Sequence, residues 1–188
     1  LVSSKIAEFK NSREKILRYF RRLIRIHKQS HRVLRLRNEA RDMLAVPEPE
    51  GLSIGYGNKT DNGTSVSKSV ANRILLSITE ILAVGLDDAE VVEILGVFVA
   101  GFGPDSISDL IVNIIYEDFC AYTTRAAREL GTSTKEYRVE GVKYLLPTHP
   151  FSKKQLIFVP FSLLRVLPVA TSWDEIAAAA AHNEELRK

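Results

Sequence analysis

The first 44 residues constrain the fold more than any other stretch. Ile6, Phe9, Ile16, Phe20, Leu23 and Ile24 recur mostly at three- and four-residue intervals. On a 3.6-residue period they gather on one broad stripe, which predicts a helix over residues 4–28. Arg18, Arg21, Arg22, Arg25 and Lys28 fall on the other side. After Gln29-Ser30-His31, the stretch Arg32 to Leu44 predicts a second helix with Val33, Leu34, Leu36 and Leu44 apolar. Pro47 and Pro49 end it, since proline lacks an N–H donor and restricts the residue before it.

Charge is segregated along the chain. Residues 1–44 hold thirteen Lys or Arg against four Asp or Glu, a net of +9, while the remainder carries −6, giving the +3 of the whole sequence. Such asymmetry points to a polyanionic partner or to mutual attraction between the two halves. With 45% hydrophobic and 26% charged residues the composition excludes wholesale disorder. Cys120 is the only cysteine. It can form neither an internal disulfide nor a thiolate cluster, so a reducing, cytoplasmic setting is expected. No apolar run approaches the roughly 20 residues of a membrane span; the longest, Val91–Phe102, is broken by Glu93, Gly96 and Gly101. Lys5, Glu8 and Lys10 interrupt any signal-peptide core, and the start at Leu1 suits a fragment of a longer protein.

Residues 50–64, with Gly51, Gly55, Gly57 and Gly63, read as a loop holding at most a short strand at Leu52–Tyr56. Helices are expected from about Ser65 to Val84, closed by Gly85, and from the capping box Asp87-Asp88-Ala89-Glu90 to about Ala100. Pro104 at a first turn and Gly131 past the end bracket a further helix reaching Leu130. Tyr137–Leu146 and Gln155–Val159 then read as two strands joined by a loop with Pro147, His149 and Pro150. Ser162–Leu167 is a helical turn between prolines. Ser172-Trp173-Asp174-Glu175 caps a last helix through Ala177–Ala181. The expected fold is α+β and predominantly helical. A basic helical arm, 1–44, packs on a helical core, 45–188, with a small C-terminal strand pair, all within one structural domain.

The basic arm is the clearest functional signal. Arg18, Arg21, Arg22, Arg25 and Lys28 are spaced to track a phosphate backbone, and Arg32, Arg35, Arg37 and Arg41 extend the track. No DNA-reading motif accompanies them, so base readout is not expected. The alternatives are arginines that solvate a helix or pair with the chain's own carboxylates, and an anionic membrane surface.

Asp105 and Asp109 lie four residues apart near a helix N-terminus, with Asn113 and Glu117 at further four-residue steps. Such a row is the candidate catalytic and metal site, suited to Mg²⁺ or Mn²⁺ through oxygen ligands. Set against this, Asp105 and Ser106 are simply good first-turn residues, and Asp109 and Asn113 suit a helix interface. Glu140 and Lys143 are the candidates to complete a carboxylate–lysine nuclease arrangement with Asp105 or Asp109, but their two-residue gap points them to opposite strand faces. His149, Lys153 and Lys154 form a smaller basic patch. Gly55-Tyr56-Gly57-Asn58-Lys59-Thr60 lacks the glycine immediately before lysine that a phosphate loop needs. His27, His31 and His182 lack zinc-site spacing, and Cys120 among apolar neighbours reads as core.

Gly101-Phe102-Gly103-Pro104-Asp105-Ser106-Ile107-Ser108-Asp109-Leu110 forms one distinctive stretch. Leu146-Pro147-Thr148-His149-Pro150-Phe151, running to Val159-Pro160 and Leu167-Pro168, forms another. Together they resemble a group of uncharacterised bacterial proteins of mobile-element or phage-defence neighbourhoods, over roughly residues 40–188. The resemblance implies an antiviral defence role and carries over no active-site residue. The functional expectation is therefore a nucleic-acid-associated protein, either a metal-dependent nuclease or a subunit of a defence system. The alternative is a non-catalytic interaction module whose basic arm docks on an acidic protein surface or a second copy of the chain.

Overall fold

The computed structural model describes residues 6–30, 33–47, 49–52, 66–83 and 104–163, the side chains at 81 and 104–106 excepted. The fold is α+β and predominantly helical, with five α-helices and one two-stranded antiparallel sheet among the described residues. A 3-10 turn, Ala7–Phe9, leads into α1, Ser12–Gln29, followed by α2, Leu34–Leu44, and α3, Lys68–Ala83. Then come α4, Pro104–Ile114, and α5, Tyr116–Glu129, and the strands β1, Thr134–Val139, and β2, Val142–Pro147. Contacts separate Leu1–Phe158 from a second unit, Val159–Lys188. In that unit a 3-10 turn, Phe161–Leu163, is closed by the Leu163 N–H donating to the Pro160 carbonyl.

The basic segment packs on the helical core through the stripe that its sequence defines. Ile16, Leu17, Phe20, Leu23, Ile24 and Ile26 are all buried, Phe20 and Leu23 completely. Against α1 lie α2 and α4, and α2 in turn packs on α3. Ala40 and Leu44 of α2 and Ala71, Ile74 and Ile78 of α3 supply the facing apolar surface. Ahead of α1, Phe9 meets the Phe119 ring of α5 edge-on, with centroids 4.9 Å apart. Fully burying such side chains contributes roughly 1.5–3 kcal/mol each. Polar ties to α3 and α2 help to fix the position of α1. His27 Nε2 is 2.7 Å from Thr79 Oγ1 of α3, and the Tyr19 hydroxyl donates to the Met43 carbonyl of α2. Burial pushes the Tyr19 phenol up to about 12, so it stays a neutral donor at ordinary pH.

Three expectations shift in detail. The helix expected from Pro104 to Leu130 is two helices, broken at Ile115 (φ −115°, ψ 24°), whose N–H is shared between the Ile111 and Val112 carbonyls. α5 stops at Gly131 as expected. Gly131 (φ 63°) donates to the Arg128 carbonyl while Thr132 reaches back to Ala127, satisfying the last carbonyls. The expected strand Tyr137–Leu146 is instead the inside of a hairpin. Glu140 and Gly141 both have positive φ and make the two-residue turn, so that Tyr137 pairs with Tyr144 and Glu136 with Leu145. Beyond β2, Thr148 and Gln155 form an isolated bridge, and the segment through Phe158 runs back over α5 by hydrogen bonds rather than as a strand. The helices expected at 87–100 and after Ser172, and the loop around Gly55–Thr60, lie outside the described residues.

Candidate nucleic-acid interface

The outer side of α1 carries Arg18, Arg21, Arg22, Arg25 and Lys28, every one exposed. At about 100° per residue these five positions span an arc of about 120°. Ile16, Phe20, Leu23 and His27 occupy the opposite, buried side. The cationic face is therefore mounted on a helix whose back is fixed in the core.

Arg21 and Arg22 of this face each meet a carboxylate. Arg21 Nη1 is 3.3 Å from Glu14, and Arg22 Nη2 is 3.0 Å from Glu39 of α2. Both pairs are open to solvent, and an exposed pair of this kind contributes only about 0.2–1 kcal/mol. A phosphate can exchange for either carboxylate at little cost. Arg18 and Arg25 make no ion pair among the described residues. Glu14 and Glu39, the partners of Arg21 and Arg22, both belong to the basic segment itself. Sequence spacing hinted at neither contact, because Glu14 stands seven residues from Arg21 and Glu39 lies on another helix.

Arg21, Ile24, Arg25, Lys28 and Gln29 line a shallow, open hollow of about 280 Å³. Its apolar floor is rimmed by guanidinium, ammonium and amide donors, a shape that accepts an anionic group with an apolar edge. On α2, Arg35 and Arg37 are exposed, whereas Arg41 turns along its own helix to Asn38 Oδ1 at 3.1 Å. Arg32 lies outside the described residues.

The carboxylate row does not form one continuous face. Asn113 lies in the last turn of α4 and Glu117 in the first turn of α5, on either side of the Ile115 break. Asn113 Nδ2 donates to the Pro47 carbonyl and to that of Asp109, each at 2.8 Å, which makes Asn113 a brace for the loop after α2. Asp109 is half-buried, and the side chain of Asp105 lies outside the described residues. Among the described residues no three His, Cys, Asp or Glu side chains gather as a metal site. Glu140 is a turn residue and Lys143 lies 3.0 Å from Glu136, so the pair does not form a carboxylate–lysine constellation.

A second set of polar contacts was not legible in the sequence. Asp118, buried on α5, accepts the Ser12 hydroxyl at 2.7 Å and contacts Lys15 Nζ. Arg125 grips Glu8 through two parallel bonds and lies over the Tyr122 ring. These ties connect residues more than a hundred positions apart, and they hold the start of α1 to α5.

Fold and surface together define a helix-rich α+β protein that presents one cationic helical face. A family model described as a domain of unknown function, DUF8370, matches residues 1–172, and the chain belongs to that family. No curated protein and no solved structure matches the chain. No helix among the described residues is long and apolar enough to cross a membrane.

Proposed function

We propose that the protein binds the phosphate backbone of DNA or RNA through the outer face of α1, with Arg35 and Arg37 of α2 as a continuation. The observation that carries this reading is the pair Arg18 and Arg25. Both are exposed and without an ion pair among the described residues, on a helix whose opposite side is packed. Long side chains on a fixed helix meet a polyanion with a preset spacing, and displaced counterions supply the driving force. The hollow between Arg21, Arg25 and Lys28 gives one phosphate a seat with several donors. Nothing on this face calls for base-specific recognition. The resemblance of residues 40–188 to proteins of mobile-element and phage-defence neighbourhoods supports placing the binding in a defence setting, and carries no residue.

Fluorescence anisotropy with a short generic duplex and a single strand tests the reading. The parent should bind at low salt, and the triple variant Arg18→Gln, Arg22→Gln, Arg25→Gln should bind every sequence more weakly by a similar factor. A triple variant that binds like the parent contradicts it. So does a parent that ignores nucleic acid and self-associates through the same arginines, the outcome expected of an interaction module.

A further inference from the structure

We propose that the loop from His149 to Lys154 is a stacking contact for unpaired bases, which makes nucleic acid with single-stranded segments the preferred polyanion. The inference rests on the phosphate-backbone reading above. The loop is closed by the Thr148–Gln155 bridge and by the His149 N–H donating to the Lys154 carbonyl at 2.8 Å. Inside it, the Lys153 N–H donates to the His149 carbonyl at 3.0 Å. His149 Nδ1 accepts from the Phe151 and Ser152 amides, at 3.3 and 3.1 Å. An accepting Nδ1 places the ring proton of neutral His149 on Nε2 and locks the imidazole inside the loop.

With its backbone donors so engaged, the loop holds a fixed shape, and that shape projects Phe151. The ring is 88% exposed, and the His149 imidazole lies beside it, with centroids 5.9 Å apart. An ordered loop that places a phenyl ring in water gains nothing for the fold by doing so. Lys153 and Lys154 stand exposed beside it. A π-face next to ammonium groups matches a base and its phosphate, the pairing that single-strand binders use without sequence preference. The charge has the same sign as that of the α1 face, which favours the same polyanion. Insertion into a bilayer would ask for a wider apolar surface than a single ring between a proline and two lysines.

The test compares single-strand and duplex affinity for the parent, Phe151→Ala and Phe151→Trp in the full chain at fixed salt. Because Phe151 is solvent-facing, both variants should keep the parent's circular dichroism. The parent should favour the single strand. Phe151→Ala should lose about ten-fold on it, the loss of one stacked base, with little change on the duplex. Phe151→Trp should retain the parent's preference. Equal losses on both ligands, or none on either, overturn the stacking contact and leave the α1 reading standing. If the parent binds neither ligand at low salt, the α1 reading itself has failed. Loss of binding to phosphatidylserine-containing vesicles in Phe151→Ala, with single-strand affinity unchanged, would reassign the loop to a membrane surface.

Discussion

The Ser12 hydroxyl donates a 2.7 Å hydrogen bond to Asp118 across 106 residues of sequence, tying the first turn of α1 to α5. Asp118 is only 7% exposed, and Lys15, which keeps a third of its side chain in water, neutralises it. A buried carboxylate left without its cation is far more costly than one lost neutral hydrogen bond. Ser12→Ala should therefore cost about 1 kcal/mol, and Lys15→Met about 2–3 kcal/mol, in urea unfolding. Equal midpoints for the two variants would show that Lys15 does not carry the site.

Arg125 holds Glu8 with Nε–Oε1 at 2.7 Å and Nη2–Oε2 at 3.2 Å, and reaches Glu129 with its remaining Nη1. The hydrogen bond from Arg125 keeps the Glu8 carboxyl below its ordinary value of 4.5. The folded value lies under the unfolded one, so the pair's stabilisation is complete above about pH 4.5 and is lost as pH falls through the folded value. The stability difference between the parent and Glu8→Gln should be constant from neutral pH down to about 4.5, then shrink. Parallel stability curves through the acid range would contradict this.

Gly51 and Gly131 both have positive φ, at 73° and 63°, yet they should respond differently to alanine. A Cβ at Gly51 would sit 2.4 Å from the Gln155 carbonyl oxygen, whereas one at Gly131 meets nothing within 4 Å. Gly131→Ala should cost about 1 kcal/mol, for the left-handed backbone alone. Gly51→Ala should cost more. It should also loosen the segment anchored by the Ile157 N–H on the Gly51 carbonyl, seen as faster amide exchange at Ile157 and Phe158. Equal costs would mean that the close approach to Gln155 relaxes freely.

Cys120 is fully buried, and burial pushes its thiol up to about 12. At neutral pH it should resist alkylation in the native protein and react only as denaturant opens the core. Rapid labelling of the native chain would place the thiol at the surface.

What the sequence made legible follows from local physics. The stripe through Ile16, Phe20 and Leu23 sets the buried side of α1, and Gly131 stops α5 by a contact within a few residues. The hairpin escaped because Val139 and Val142 flank Glu140-Gly141 closely enough to read as one apolar run. Only the positive φ of both turn residues separates the strands. The break at Ile115 has no proline or glycine to announce it. On the candidate site, spacing identified the cationic face but not its partners, since the Arg22–Glu39 contact depends on how α1 meets α2. The row from Asp109 to Glu117 looked continuous because four-residue steps assume an unbroken helix. Asn113 then turned to Pro47, 66 residues away.

The slope of log affinity against log salt concentration tests the cationic face most directly, because it reads the number of phosphates that the protein neutralises. For duplex DNA the parent should give a steep linear decline, and the variant with Gln at positions 18, 22 and 25 a slope shallower by roughly 3, about one for each lost contact. Identical slopes for the two proteins, or a parent whose affinity ignores salt, would contradict the account.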